Sequence, residues 1–189
     1  MIIAYVGIIK SDGNKKNIMK NVLWIVVAAV IFAAYTCFSN IQDEIITFND
    51  TVIDLLEQDE ESFSSYVDYL DKYYGYEEID VKQMNIALDT LSENHQSIVD
   101  KITRIVIPDY DVCREFHAVV MKFLDNDANI ITVYTDIIKY IESNNPGTEA
   151  DLYEISNMLN PFLELNDSIF NEIEVTQKSM SDKFRFRLE

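Results

Sequence analysis

Glycine, proline and cysteine are all scarce in this chain of 189 residues. It contains four glycines, three prolines and two cysteines. So few glycines and prolines mean that few residues break the helical pattern, and no sustained alternation of period two predicts strands. Two cysteines, Cys37 and Cys113, are too few for a disulfide framework. The composition therefore excludes a small disulfide-stabilised fold and favours a single domain of long helices.

Basic residues are also few in comparison with acidic ones. Lysine and arginine total 15 and aspartate and glutamate total 33, which gives a net charge of −18. An acidic surface repels the phosphates of nucleic acids, and no basic stretch alternates with aromatic residues to offset it. We therefore exclude nucleic acid as a partner and interpret most of the acidic residues as solvated outer faces of helices.

Only two histidines are available for metal binding or acid–base chemistry. Cys113 and His117 are one helical turn apart, but no second pair of residues has the spacing that would complete a zinc site. The Glu-x-x-His repeats of di-iron bundles, the phosphate-binding glycine loop and the serine triad are missing as well. We predict no metal, no cofactor and no catalytic residue, and a carboxylate hydrolase is the weakest alternative.

One long uncharged run, Val22–Phe38, follows a basic N-terminal lead. Four lysines precede the run and Asp12 is the one acidic residue before it, so the positive-inside rule places the N-terminus in the cytoplasm. At about 1.5 Å per residue a helix over the run is roughly 26 Å long, which is short for a membrane span but tolerated. We predict a lead at 1–21 and a signal peptide or transmembrane anchor at 22–38.

Residues 22–38 have three interpretations. They can form an uncleaved anchor, or a cleaved secretory signal if translation starts at Met19. The third interpretation is a lipoprotein signal, because Ala34-Tyr35-Thr36-Cys37 resembles the lipobox of bacterial lipoproteins, which implies acylation of Cys37. The rest of the chain is then extracytoplasmic and anchored to the membrane, in the periplasm or at the cell surface.

From residue 39 onward, apolar residues recur every three or four positions, which is typical of amphipathic helices. The first stripe loses its phase near Glu57–Glu61 and resumes at Phe63. The four stripes run over 41–73, 84–105, 116–141 and 152–180. Short connections make consecutive helices antiparallel. We therefore predict an all-α fold, with an up-down four-helix bundle at 39–189 that follows the apolar N-terminal helix.

Turn and capping residues separate the stripes. Gly75 ends the first helix, Asp80 caps the second, Asp109 caps the third after Pro108, and Thr148 with Asp151 opens the fourth.

Two segments inside the predicted helices are poor helix formers. Pro161 is expected to kink or break the fourth helix. The polar stretch Asp125–Asn129 could divide the third.

Three polar residues, His95, Asp127 and Asn166, occupy apolar stripes. Buried polar groups need hydrogen-bond partners, so we expect His95 to bond to Asp127 or Asn166. We expect Cys113 to be a small buried side chain.

Tyrosines and acidic residues crowd one end of the first helix. Helical spacing places Tyr66 and Tyr73 inward and leaves others exposed as a candidate binding rim. The rim residues are Tyr69, Tyr74, Tyr76, Asp68 and Asp71. The alternative is that these tyrosines only close the end of the bundle.

Two classes of function fit these features. The first is a non-enzymatic, membrane-tethered module that binds an unidentified protein or small ligand. The second is a sensory input bundle, since the architecture resembles the four-helix ligand-binding domains of chemoreceptors. That function needs a signalling partner, because no second apolar span follows Met180. Self-association into a homo-oligomer is a further expectation.

Overall fold

The computed structural model describes residues 15–75, 79–144 and 148–188, and it describes 15–26 and 33–37 by their backbone alone. All the elements in these ranges are helices. They are α1 (Lys15–Tyr74), α2 (Val81–Thr103), α3 (Asp111–Ser143) and α4 (Glu149–Phe184). The chain divides into two compact units, Met1–Asp43 and Glu44–Glu189. Helix α1 contributes residues to both.

In the first unit the structure describes part of α1. Val30, Ile31 and Phe32 are exposed there. Within the ranges described, no helix is both long enough and apolar enough to cross a membrane. Most of the predicted lead, residues 1–14, and the side chain of Cys37 lie outside the described residues. The predicted acylation of Cys37 stays a prediction.

In the second unit four helices pack against each other around a shared core, which confirms the predicted all-α fold. The contacts of α3 and α4 run in opposite order along the two helices, so these helices are antiparallel. The pairs, in the order of α3, are Cys113 with Met180, Lys122 with Glu172, and Tyr140 with Asp151. Helix α3 also packs closely against α2.

The helix ends agree with the predicted caps at two of three positions. Asp80 accepts hydrogen bonds from the backbone amides of Lys82 and Gln83, and Asp151 accepts one from the amide of Thr148. The predicted cap of α3 is wrong, because the carboxylate of Asp109 pairs with the guanidinium of Arg114 instead. Arginine offers that carboxylate a charge-assisted bond, which is stronger than a neutral backbone donor.

The prediction that Asp125–Asn129 divides α3 is also wrong, because α3 is continuous from Asp111 to Ser143. The buried polar residues Asn126 and Asp127 bond to α4, and this packing holds α3 helical even though Asn129 bonds to the Asp125 carbonyl of its own helix. Helix α4 likewise continues through Pro161 without a break. Leu159 is buried and Phe162 is half-buried, so packing on both sides of the proline supports the helix.

Candidate functional site

Five polar side chains meet inside the bundle, with at least one from each helix, and we call them the central polar cluster. They are Asp59 of α1, His95 of α2, Asn126 and Asp127 of α3, and Asn166 of α4. The first four are at least 95% buried, whereas Asn166 is half-buried. Burial of so many polar groups is costly unless they bond to one another.

Asp59 and His95 form the most buried ion pair among the described residues. The Asp59 Oδ2 atom lies 2.9 Å from His95 Nδ1. Burial disfavours the charged imidazolium, but the hydrogen bond and charge of Asp59, the charge of Asp127 and the Leu124 carbonyl outweigh it. The pKa of His95 is therefore raised above its ordinary value, and the ring stays protonated further into the neutral range.

Asn166 links the two polar residues of α3. Its Nδ2 donates to Asp127 Oδ1 at 2.9 Å, and its Oδ1 accepts a bond of 2.9 Å from Asn126 Nδ2. Asn126 Nδ2 also donates to the Phe162 carbonyl. Burial raises the pKa of Asp127 to about 7, although the hydrogen bond from Asn166 acts in the opposite direction and lowers it. Asp127 therefore changes its protonation state near neutral pH.

The central polar cluster is incompletely satisfied. Asp59 Oδ1, His95 Nε2 and Asn126 Oδ1 are buried and have no hydrogen-bond partner of good geometry among the described residues. Within those residues no group of three or more His, Cys, Asp and Glu side chains could hold a metal ion. Asp127 and His95 are members of the cluster that can gain or lose a proton near neutral pH. The bond between Asp59 and His95 also fixes how α1 packs against α2.

The structure corrects two sequence-based interpretations of this region. The partner of His95 is Asp59, not Asp127 or Asn166, although all four belong to the same cluster. The first stripe also keeps its phase, because Asp59 follows Leu55 by four residues and precedes Tyr66 by seven. The apolar pattern alone does not reveal Asp59, because an acidic residue at this position interrupts the stripe. The helical spacing itself could have identified it.

A groove lies next to the Asp59–His95 pair, between residues 58–69 of α1 and 87–101 of α2, and we call it the α1–α2 groove. Its volume is about 580 Å³, within the range of roughly 300–1,000 Å³ that is common for small-ligand sites. Gln58 and Asn94, the sequence neighbours of the ion pair, line its two walls. The ion pair therefore joins the two helices that form the groove.

Tyr66 is the one lining residue that combines nearly complete burial with an unsatisfied polar atom. Its side chain is 1% exposed, and its hydroxyl has no hydrogen-bond partner in the part of the chain that the structure describes. Its ring stacks at 4.4 Å on the ring of Tyr134. An unpaired buried hydroxyl is costly, which makes it a candidate contact for a bound molecule.

The predicted tyrosine rim is only partly accessible. Tyr69 and Tyr74 are half-buried and pack against the core, while Asp68 and Asp71 are exposed. Tyr76 lies outside the described residues. Tyr66 and Tyr73 point inward, as the helical spacing predicted. Of the rim residues, the α1–α2 groove includes Tyr69.

Cys113 and His117 do not form a common site. Cys113 is fully buried, with its Sγ atom 3.6 Å from Met180 Sδ. The Nε2 atom of His117 bonds to the Ile102 carbonyl at 3.1 Å. Each side chain therefore has a packing or capping role of its own.

No protein-family model, no curated protein and no solved structure matches this chain.

Proposed function

We propose that this protein is a membrane-tethered, extracytoplasmic helical bundle that binds a small ligand or a segment of a partner in the α1–α2 groove and catalyses no reaction. The observation that carries the proposal is the groove itself. It combines polar walls from two helices with the buried, unpaired hydroxyl of Tyr66. The lining also includes the apolar residues Ala87, Leu91 and Ile98, and small-ligand sites combine apolar lining with polar groups that orient the ligand.

The side chains around the groove favour binding over catalysis. His95 is buried and bonded to Asp59, and His117 is bonded to the Ile102 carbonyl. A general base must come within hydrogen-bond reach of its substrate. Neither imidazole lines the groove, whose walls carry mainly hydroxyl and amide groups.

The N-terminal part of the chain supports the tether. The basic lead and the uncharged run at 22–38 have the order of a signal or anchor, and Cys37 has the position of an acylated cysteine. The exposed side chains of Val30, Ile31 and Phe32 are those expected of a segment that contacts lipid. Attachment through either the helix or an acyl chain would leave the bundle outside the cytoplasm.

A sensory role is the second candidate. Residues 22–38 and the α1 wall of the groove belong to the same helix, which runs from Lys15 to Tyr74. A ligand in the groove would then contact the helix that enters the membrane. In this case the bundle would signal through a partner protein.

Two measurements test the proposal. Intact mass spectrometry of the membrane fraction should give either a diacylated chain that begins at Cys37 or an unprocessed chain, and a cytosolic, unmodified protein would contradict the tether. For the groove, a thermal-shift screen with amines, amino acids and saccharides should find a class that stabilises the parent and the Ser64→Trp variant but not Ser65→Trp. Ser65 lines the groove and the exposed Ser64 does not. Equal responses of the two variants would contradict binding there.

A further inference from the structure

We propose that the central polar cluster is a pH-dependent clasp, which holds residues 56–65 of α1 against the bundle at acidic pH and releases them locally above neutral pH. We call residues 56–65 the α1 mid-segment. A clasp of this kind acts on the free protein, so it does not depend on the binding role proposed above. Two features of the structure lead to it, the packing of the mid-segment and the charges inside the cluster.

The α1 mid-segment is held to the bundle mainly by one carboxylate. Leu55 and Tyr66 flank the segment and are buried, and between them Asp59 is the one residue that is buried rather than half-buried or exposed. The apolar residues Leu56 and Phe63 are half-buried. For about three helical turns, α1 therefore lacks the fully buried apolar side chains that hold its flanking turns in place.

The other helices hold one another more closely. Helix α3 packs closely against both α2 and α4, and no equally close backbone approach involves α1 in the part of the chain that the structure describes. The mid-segment also accepts a hydrogen bond of 3.3 Å at Ser62 from Asn94 of α2, but this bond is exposed. Exposed polar contacts and few buried apolar contacts are typical of segments that open locally. The mid-segment can therefore separate at lower cost than its flanking turns.

Three ionisable groups face one another inside the central polar cluster, one from each of three helices. Asp59 of α1 pairs with His95 of α2, and both act on Asp127 of α3 through their charges. Helix α4 contributes the uncharged amide of Asn166, which bonds to Asp127. Tyr134 is a further ionisable neighbour on α3, and burial raises the pKa of its hydroxyl to about 12, so it stays neutral. The charge of the cluster is therefore set by Asp59, His95 and Asp127.

Ionisation of Asp127 upsets the balance of these charges. With Asp127 protonated, one carboxylate faces one imidazolium. Burial raises the pKa of Asp127 to about 7, so just above neutral pH a second carboxylate appears beside the first. Two buried carboxylates repel each other, and a buried charge without a partner is costly unless water reaches it. Loss of the His95 proton as the pH rises increases the imbalance.

Of the helices that carry these charges, α1 should move first. Asn166 fixes Asp127 to α4 by a hydrogen bond of 2.9 Å, whereas Asp59 belongs to the weakly held mid-segment. Repulsion between the two carboxylates therefore moves the mid-segment away from α3. Asp59 Oδ1 and Asn126 Oδ1, which are buried without partners of good geometry among the described residues, can then accept hydrogen bonds from the entering water.

Hydrogen–deuterium exchange of the full-length chain in mild detergent tests the clasp, with amide NMR at about pH 6 and about pH 8, at several low urea concentrations and with correction for the intrinsic exchange rate. Mid-segment amides should exchange through a local opening that urea hardly affects, whereas residues 116–124 of α3 should exchange through global unfolding. The protection of the mid-segment should decrease about tenfold between the two pH values, because the closed state alone holds the Asp127 proton in this range. Asp127→Asn should abolish that decrease, and the exposed control Asp125→Asn should retain it.

Three results would overturn the proposal. Equal protection and equal urea dependence in the mid-segment and in residues 116–124 would show that the chain opens only as a whole, in which case global stability depends on pH without a clasp. A local opening with the same protection at both pH values would show that no titrating group controls it. A decrease that remains in Asp127→Asn would refute the role of Asp127, and with it the clasp.

Discussion

Asp59 Oδ2 lies 2.9 Å from His95 Nδ1, and this contact joins α1 to α2 where both residues are at least 95% buried. Its two neighbours, Gln58 and Asn94, line opposite walls of the α1–α2 groove. A buried ion pair adds little net stability over apolar residues, but it fixes one arrangement because either charge alone is very costly. The pair, together with the hydrogen bond from Asn94 to Ser62 across the groove, therefore holds the two walls at a fixed separation.

Removal of one member of this pair should be strongly destabilising. We expect Asp59→Ala to lower the free energy of unfolding by about 3 to 5 kcal/mol, because His95 keeps a buried, unpaired ring. Asp54→Ala, on an exposed position one turn earlier, should change it by less than about 0.5 kcal/mol. Urea denaturation measures both. The double variant Asp59→Leu/His95→Leu should recover most of the loss, and equal effects of Asp59→Ala and Asp54→Ala would refute the role of the pair.

Stability should decrease as the pH rises from about 4 to about 7. The pKa of Asp127 is about 7 in the folded protein and 3.8 ordinarily, so the folded state holds a proton that the unfolded chain loses in this range. The raised pKa of His95 acts in the same direction, because its contribution is lost as the ring deprotonates. Urea denaturation at several pH values in this range measures how the free energy of unfolding changes with pH.

The variant Asp127→Asn isolates the contribution of one carboxyl. An amide resembles the protonated acid and cannot ionise, so the variant should match the parent near pH 4. At pH 8 it should be more stable than the parent by roughly 4 kcal/mol, the free energy of the pKa difference. The exposed control Asp125→Asn should keep the pH dependence of the parent. An unchanged slope in Asp127→Asn would show that another group titrates.

Much of this fold is predictable from the sequence, because an apolar residue every three or four positions specifies a helix and short connections specify its direction. His95 and Asp127 are visible on the stripes for the same reason. Asp59 is equally regular in position, but an aspartate usually indicates a solvent-exposed position, so the sequence does not identify it as buried.

The α1–α2 groove was not predictable in this way. Its walls consist of small polar residues such as Ser62, Ser65 and Thr90, which sequence patterns assign to the outer face of a helix. The groove depends on how far apart α1 and α2 pack, and the buried pair Asp59–His95 joins them. That distance is a property of tertiary packing and not of either helix alone.

Asn166 should contribute to both stability and titration. Asn166→Ala removes the bond to Asp127 and an acceptor for Asn126, so we expect a loss of about 1 to 3 kcal/mol in the free energy of unfolding. It should also raise the pKa of Asp127 further, because the hydrogen bond from Asn166 in the parent protein stabilises the ionised carboxylate. Carboxyl carbon NMR would follow that titration. The control Asp167→Ala, at an exposed neighbouring position, should change neither the free energy of unfolding nor the pKa of Asp127. An unchanged pKa of Asp127 in Asn166→Ala would contradict this hydrogen-bond network.

Cys113 should be unreactive in the folded protein. Its side chain is fully buried, and burial raises the pKa of its thiol to about 11. In Cys37→Ser, where Cys113 is the remaining cysteine, iodoacetamide at pH 8 should react at least a hundredfold more slowly with native than with urea-unfolded protein, because the thiolate is the reactive form. Rapid stoichiometric labelling of the native chain would contradict this burial.

The most direct test of the central claim is amide NMR of the ¹⁵N-labelled chain during a titration with the compound class that the thermal-shift screen identifies. If the α1–α2 groove binds that ligand, the largest shifts should appear at Ser62, Ser65, Thr90 and Asn94 and saturate at one equivalent. Small shifts that spread over the acidic outer faces of all four helices and do not saturate would contradict a specific site in the groove.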